Sequence, residues 1–144
     1  MINKVKEVRE GVWRGPKLTT NELEILKPAS IINLENNHRA VCAEKIYCLR
    51  RNICFYEVPM SEIFPPSRKQ LIEGVTLIES APAQIYVHCL HGVDRTGFVI
   101  AAYRMLVQGW TIEKAYQECL DYGHHVYAYW WWKRSLTKLD KERR

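Results

Sequence analysis

Cys89 and Arg95 stand six positions apart in the run Ile85-Tyr86-Val87-His88-Cys89-Leu90-His91-Gly92-Val93-Asp94-Arg95-Thr96-Gly97. The types and spacing suit chemistry on an anion. Cysteine is the one strong nucleophile in the run, and a cation or a helix N-terminus beside it favours the reactive thiolate. Leu90, His91, Gly92, Val93 and Asp94 are enough chain to wrap backbone N–H groups around a tetrahedral oxyanion. Gly92 permits the positive φ or close approach that such a wrap requires. Arg95 brings a planar fork able to hold two oxygens at once. Thr96 can donate a hydrogen bond to the sulfur and help it depart when a covalent intermediate breaks down. The chemistry implied is that of a reactive thiolate held beside a bound phosphate or similar oxyanion.

To do this the run must be a strand, a tight loop and a helix start. Ile85 to Val87 is apolar and reads as a buried strand, while Thr96 to Gln108 is apolar almost all round and reads as a central helix. The helix N-terminus would face the loop with free N–H groups and a partial positive charge.

The remaining elements follow from the same patterns. Gly11-Val12-Trp13-Arg14-Gly15-Pro16 is a short strand stopped by Gly and Pro, Ser30 to Leu34 a buried strand, and Ile53 to Val58 another. Thr19 with Glu22, and Ser67 with Gln70, have capping-box spacing and open helices. The first of these helices ends before Pro28. From His38 to Arg51 the set Cys42, Ile46 and Leu49 has helical spacing, and Leu71, Ile72, Val75 and Ile78 form the apolar face of the next helix. Thr111 caps a helix with Ile112, Ala115, Tyr116 and Cys119 on one face, ended by Gly123. A last helix is expected from about His125, with Tyr129, Trp132, Leu136 and Leu139 on a stripe. Strands alternating with helices predict an α/β domain with a central, mainly parallel sheet of four to five strands flanked by helices on both faces. Ligands bind at the carboxyl ends of such strands, which is where residues 88–97 fall.

The bulk numbers agree with one ordinary globular domain spanning 1–144. Its 144 residues are 47% hydrophobic and 26% charged, with no internal repeat, low-complexity stretch or linker. No apolar run is long enough to span a bilayer, and the first residues lack a signal-peptide core, so a cytoplasmic protein is expected. Five cysteines, an odd number, argue for reduced thiols, and Cys42, Cys48, Cys54 and Cys119 read as inert. The net charge of +5 is concentrated in residues 133–144, with six basic and two acidic side chains. A solvated helix end accounts for that tail more simply than a nucleic-acid surface. Of Trp130, Trp131 and Trp132, consecutive on a helix, at least one must face solvent while the rest pack inward.

VHCLHGVDRTG resembles the signature of the cysteine-dependent protein tyrosine phosphatase superfamily, and within it the chain is similar to the small bacterial dual-specificity phosphatases. Val12-Trp13-Arg14-Gly15, Ser30 to Leu34, and Gly109 to Ala115 with Tyr122-Gly123-His124-His125 resemble the family's flanking elements, so the resemblance covers about 11–136. It implies a two-step reaction without metal or other cofactor. Cys89 takes the phosphoryl group as a phosphocysteine, and the 90–95 amides and Arg95 hold its oxygens. His88 orders the loop, an acid protonates the leaving oxygen, and water releases phosphate. The family usually places an aspartate after the preceding strand; here Pro59 to Pro66 contains none. Glu62 is the only carboxyl there, and Asp94, inside the loop, is the alternative acid; a leaving group needing no protein acid is the third possibility. His88, Cys89 and His91 match no common zinc spacing, so no metal site is expected.

The partner expected is a phosphorylated protein, on phosphotyrosine and also phosphoserine or phosphothreonine, or a small phosphorylated molecule. A phosphoinositide, inositol polyphosphate or RNA 5′-phosphate is the alternative substrate, nucleic acid being the lesser partner. A phosphate-binding module with weak turnover is the alternative of another class. His91, His124 and His125 are left between site and solvent, and the loops around 36–40 and 59–66 are expected to set the pocket's depth. The sequence carries no signal for an oligomeric state.

Overall fold

The structure is a computed structural model that describes residues 4–144. Strands β1 (Lys6–Arg9), β2 (Val12–Gly15), β3 (Ser30–Asn33), β4 (Cys54–Glu57) and β5 (Ile85–His88) form one sheet in the order β1-β2-β5-β3-β4. The β1–β2 hairpin is antiparallel and the other pairings are parallel. β5 is therefore central, buried along all four residues, with its carboxyl end between those of β2 and β3. Helices α1 (Thr20–Leu26), α2 (His38–Arg50), α3 (Arg68–Ser80), α4 (Asp94–Leu106), α5 (Ile112–Asp121) and α6 (Lys133–Glu142) complete the fold.

The caps expected at Thr19, Ser67 and Thr111 form, the first two as full capping boxes. α4 lies in the main core, its residues from Arg95 to Met105 all buried, against β5, α3, α5 and α6. A smaller cluster around Leu18, Leu23, Ile31, Cys48 and Tyr86 fills the other side of the sheet. Among the described residues no helix is long and apolar enough to cross a membrane.

Three expectations are corrected. β1 has no counterpart in the sequence reading, because its one buried residue, Val8, gives no alternation to read. The buried face of α2 is Val41, Glu44 and Cys48, whereas Ile46 and Leu49 are exposed; the spacing was helical but the face was the wrong one. The last helix starts at Lys133, not near His125. Residues 124–129 turn back over the 89–93 loop, and Trp130–Trp132 form a single 3-10 turn. His124 and His125 tie that segment to Asp94.

Candidate active site

Peptide planarity shapes the loop after β5. In a trans peptide the C=O of one residue and the N–H of the next point in opposite directions. Three carbonyls of the loop are taken by donors outside it. His88 Nδ1 lies 2.8 Å from the Cys89 oxygen, the Lys17 N–H donates to the Leu90 oxygen at 3.0 Å, and Arg14 Nη2 donates to the Gly92 oxygen at 3.1 Å. The N–H groups of Leu90, His91 and Val93 are thereby turned to the opposite, concave side. No acceptor among the described residues takes the N–H groups of 90–95. They join the first turn of α4, whose N-cap Val93 gives no side-chain cap. The result is a nest of donors over Cys89. Gly92 adopts φ +74°, and a Cβ there would run into the Gly15–Pro16 backbone, so only glycine fits.

Cys89 is buried, and Thr96 Oγ1 donates to its sulfur at 3.1 Å. The Arg95 guanidinium is steered by groups from two other loops: Nη1 lies 3.2 Å from the Met60 oxygen and 3.5 Å from Asn36 Oδ1, and Nη2 lies 3.9 Å from Glu62 Oε1.

Behind the loop His88 is fully buried. Its Nε2 lies 2.6 Å from Glu44 Oε1, which also accepts from Asn33 Nδ2 at 2.8 Å. Both neighbours of the ring, a carboxylate and a carbonyl, can only accept, so both ring nitrogens must donate and the imidazolium is the form that fits. Burial works against that charge, but the hydrogen bond and charge of Glu44 outweigh it and raise the His88 pKa.

Asp94, the first residue of α4, is not turned toward the phosphate nest. Its Oδ1 accepts from His124 Nδ1 at 2.6 Å and from the His125 N–H at 2.9 Å, and its Oδ2 lies 2.7 Å from His125 Nδ1. Burial raises its pKa, yet these three hydrogen bonds outweigh burial and hold the carboxyl below its ordinary value. His124 is in turn packed among Phe98, Tyr116, Tyr129 and Trp132.

Above Cys89 opens a cavity of about 280 Å³ lined by Glu62, Leu90, His91, Asp94, Arg95, His125, Ala128, Tyr129 and Trp132. The 59–66 loop supplies Glu62, as expected. Residues 36–40 supply no wall; Asn36 only reaches Arg95, and the segment 125–132 forms the wall instead. The 59–66 loop is fixed at several points. Met60 N–H donates to the Leu34 oxygen, Gln70 Nε2 to the Pro59 oxygen, Ser61 Oγ accepts from the Ile63 and Phe64 N–H groups, and Trp132 Nε1 donates to the Ile63 oxygen. Glu62 itself projects into solvent, its side chain 61% exposed. The sequence reading missed Arg14, Glu44 and Asn36 as members of this neighbourhood. Asn36 had only the signal of a loop position, and Glu44 only its helical phase. No group of three or more His, Cys, Asp or Glu able to hold a metal ion occurs among the described residues. Burial pushes the Cys48 and Cys119 thiols up to about 12, as suits inert positions.

A buried cysteine at a strand end, a nest of unpaired amides above it and an arginine beside them are suited to binding and transferring phosphate. The chain matches the dual specificity phosphatase catalytic domain over residues 15–137 and belongs to that family; it is a cysteine-dependent phosphatase. Among solved structures it is similar to Tk-PTP in its active form (TM-score 0.82, 20% identity, covering 98% of this chain and 99% of that one). It is also similar to PTPMT1 (TM-score 0.77, 20% identity, 96% and 94%). A third similarity is to the core catalytic domain of the PP-IP phosphatase SIW14 from S. cerevisiae (TM-score 0.71, 22% identity, 85% and 77%). At these identities the likeness is one of fold. A stretch of 39 residues is 49% identical to the mRNA-capping enzyme of Danio rerio, and spans 26% of this chain and 6% of that protein's length.

Proposed function

We propose that the enzyme hydrolyses phosphotyrosine in proteins, with phosphoserine and phosphothreonine as slower substrates. One observation supports this reading: the lining of the cavity at Cys89 includes Leu90, Ala128, Tyr129 and Trp132, apolar surface suited to an aryl ring.

In the proposed reaction Cys89 Sγ attacks phosphorus, forming an S–P bond as the ester P–O bond breaks in line. Arg95 and the 90–95 amides hold the three non-bridging oxygens as charge spreads over them. Glu62 gives its proton to the leaving oxygen. Water then attacks the phosphocysteine, Glu62 takes up a proton from it, and phosphate and the thiolate leave. The Thr96 hydroxyl on the sulfur assists that departure. Asp94 serves as a positioning group rather than as the acid, because its oxygens already accept three hydrogen bonds and its pKa is lowered. Glu62 accepts no hydrogen bond among the described residues, faces Arg95 Nη2 at 3.9 Å and borders the cavity.

The test is a panel of phosphopeptides, inositol polyphosphates, phosphoinositides and a 5′-triphosphorylated RNA, assayed with the wild type and Cys89→Ser. The reading expects the highest kcat/KM on phosphotyrosyl peptides and none in the variant. Preference for an RNA 5′ end would favour a second reading, supported by the short similarity to an mRNA-capping enzyme and by His91 and His125 at the cavity, where they could meet a further phosphate.

A further inference from the structure

Arg14 is an expensive residue for β2 to carry. It is only 2% exposed, inside the fold behind the 89–93 loop. Its side chain stacks on Tyr122, with the guanidinium carbon 4.0 Å from the ring centroid, and Nη2 lies 3.6 Å from where a Cβ on Gly97 would stand. The bond to the Gly92 oxygen is the only hydrogen bond of its side chain among the described residues, and Nη1 is buried without any partner. Glu118, a carboxylate whose charge acts on Arg14, is engaged in a two-pronged ion pair with Arg104. A buried cation without a counter-charge is normally selected against, since replacing it by an apolar group would stabilise the fold. Burial accordingly pulls its pKa below the usual arginine value, while negative charge on Cys119, Glu118, Tyr122 and Cys89 would act the other way.

We infer that Arg14 is the second cation of the active site: a guanidinium behind the phosphate loop whose counter-charge is the anion that the loop holds, thiolate or phosphoryl group, on the face opposite Arg95. The inference rests on Cys89 being the nucleophile. Arg14 touches no substrate; it acts through the loop in two ways. Its charge adds to the field over Cys89 across the low-dielectric interior. Its bond to the Gly92 oxygen turns the Val93 N–H toward the phosphate by the planarity of that peptide.

Three substitutions separate charge, hydrogen bond and packing: Arg14→Lys keeps the charge, Arg14→Gln keeps a donor for Gly92, and Arg14→Met keeps neither. The readouts are kcat/KM on p-nitrophenyl phosphate, the inhibition constant of inorganic phosphate, and the melting temperature without ligand. In Arg14→Gln the phosphate inhibition constant should rise on the order of tenfold, as a unit charge acting across the loop at an intermediate dielectric supplies. kcat/KM should fall in proportion. Arg14→Lys should restore most of both, and the ligand-free melting temperature of Arg14→Met should equal or exceed the wild type. Phosphate inhibition of Arg14→Gln equal to wild type would overturn the inference. So would losses that follow melting temperature across the three variants, or unfolding of both Lys and Gln variants, since either makes the residue structural. A wild type inert toward p-nitrophenyl phosphate would remove the nucleophile reading beneath it, whereas an active wild type with an unaffected Gln variant would remove only the role of Arg14.

Discussion

Two histidine–carboxylate clusters flank the same short loop. Behind it, the side chains of His88 and Glu44 are 0% and 5% exposed; in front, Asp94 is 16% exposed and its partner His125 57%. The rear pair is closed: both ring nitrogens of His88 are committed, and Glu44 is shared with Asn33. The front cluster ties the loop to the wall that borders the cavity, and its outer histidine meets water and whatever enters. Such a division of labour lets the floor keep one geometry while the mouth adjusts to a substrate.

The largest effect should come from the atom between the two. Cys89→Ser should abolish turnover of an aryl phosphate while leaving both clusters and the melting temperature close to wild type; residual turnover would mean that the loop's cysteine is not the nucleophile. Next, Glu44→Ala leaves His88 and Asn33 buried without their acceptor. It should cost about 3–5 kcal/mol of stability, read as a lower urea midpoint. A loss below about 1 kcal/mol would erase the contrast between the pairs. Third, Glu62→Gln on the open side should lower kcat by about 10²-fold for an alkyl phosphate and hardly at all for p-nitrophenyl phosphate, whose leaving group needs no proton. Equal losses on both substrates would remove Glu62 as the acid. Fourth, Asp94→Asn should cost only about 1–2 kcal/mol and raise KM more than it lowers kcat, since it loosens a wall.

The smallest effect is in pH. The raised pKa of His88 means that its contribution to stability is complete below about 6.5, the ordinary value, and is lost as pH rises through the higher folded value. Asp94 has the opposite sign: its contribution is complete above about 3.9 and is lost as pH falls through the lowered folded value. Urea midpoints against pH should show the alkaline decline disappear in Glu44→Gln and the acid decline shrink in Asp94→Asn.

The placing of Cys89, the 90–95 amides and Arg95 around one loop was legible because they lie within one run of sequence, where spacing alone sets geometry. Elements with strong local signals, such as the Thr19 and Ser67 boxes, were legible for the same reason. Glu44 was not, because a carboxylate reads as surface until a histidine 44 positions away is known to meet it. Nor was Arg14: a charged residue in a strand signals an edge, and only the sheet order, with β2 beside β5, places it behind the loop. The wall at 125–132 was taken for a helix because its aromatic spacing is helical, while the contacts to Asp94 that bend it come from 31 residues earlier.

The hydrogen bond from the Trp132 indole to the Ile63 carbonyl joins the Glu62 loop to the His125 wall. The opening above Cys89 is thus buttressed on that side, not slit. If the substrate is the phosphorylated protein proposed above, this buttress favours phosphates on flexible tails and loops that can reach in toward Cys89. Trp132→Phe removes this link alone and leaves the loop's other anchors, at Met60, Pro59 and Ser61, in place.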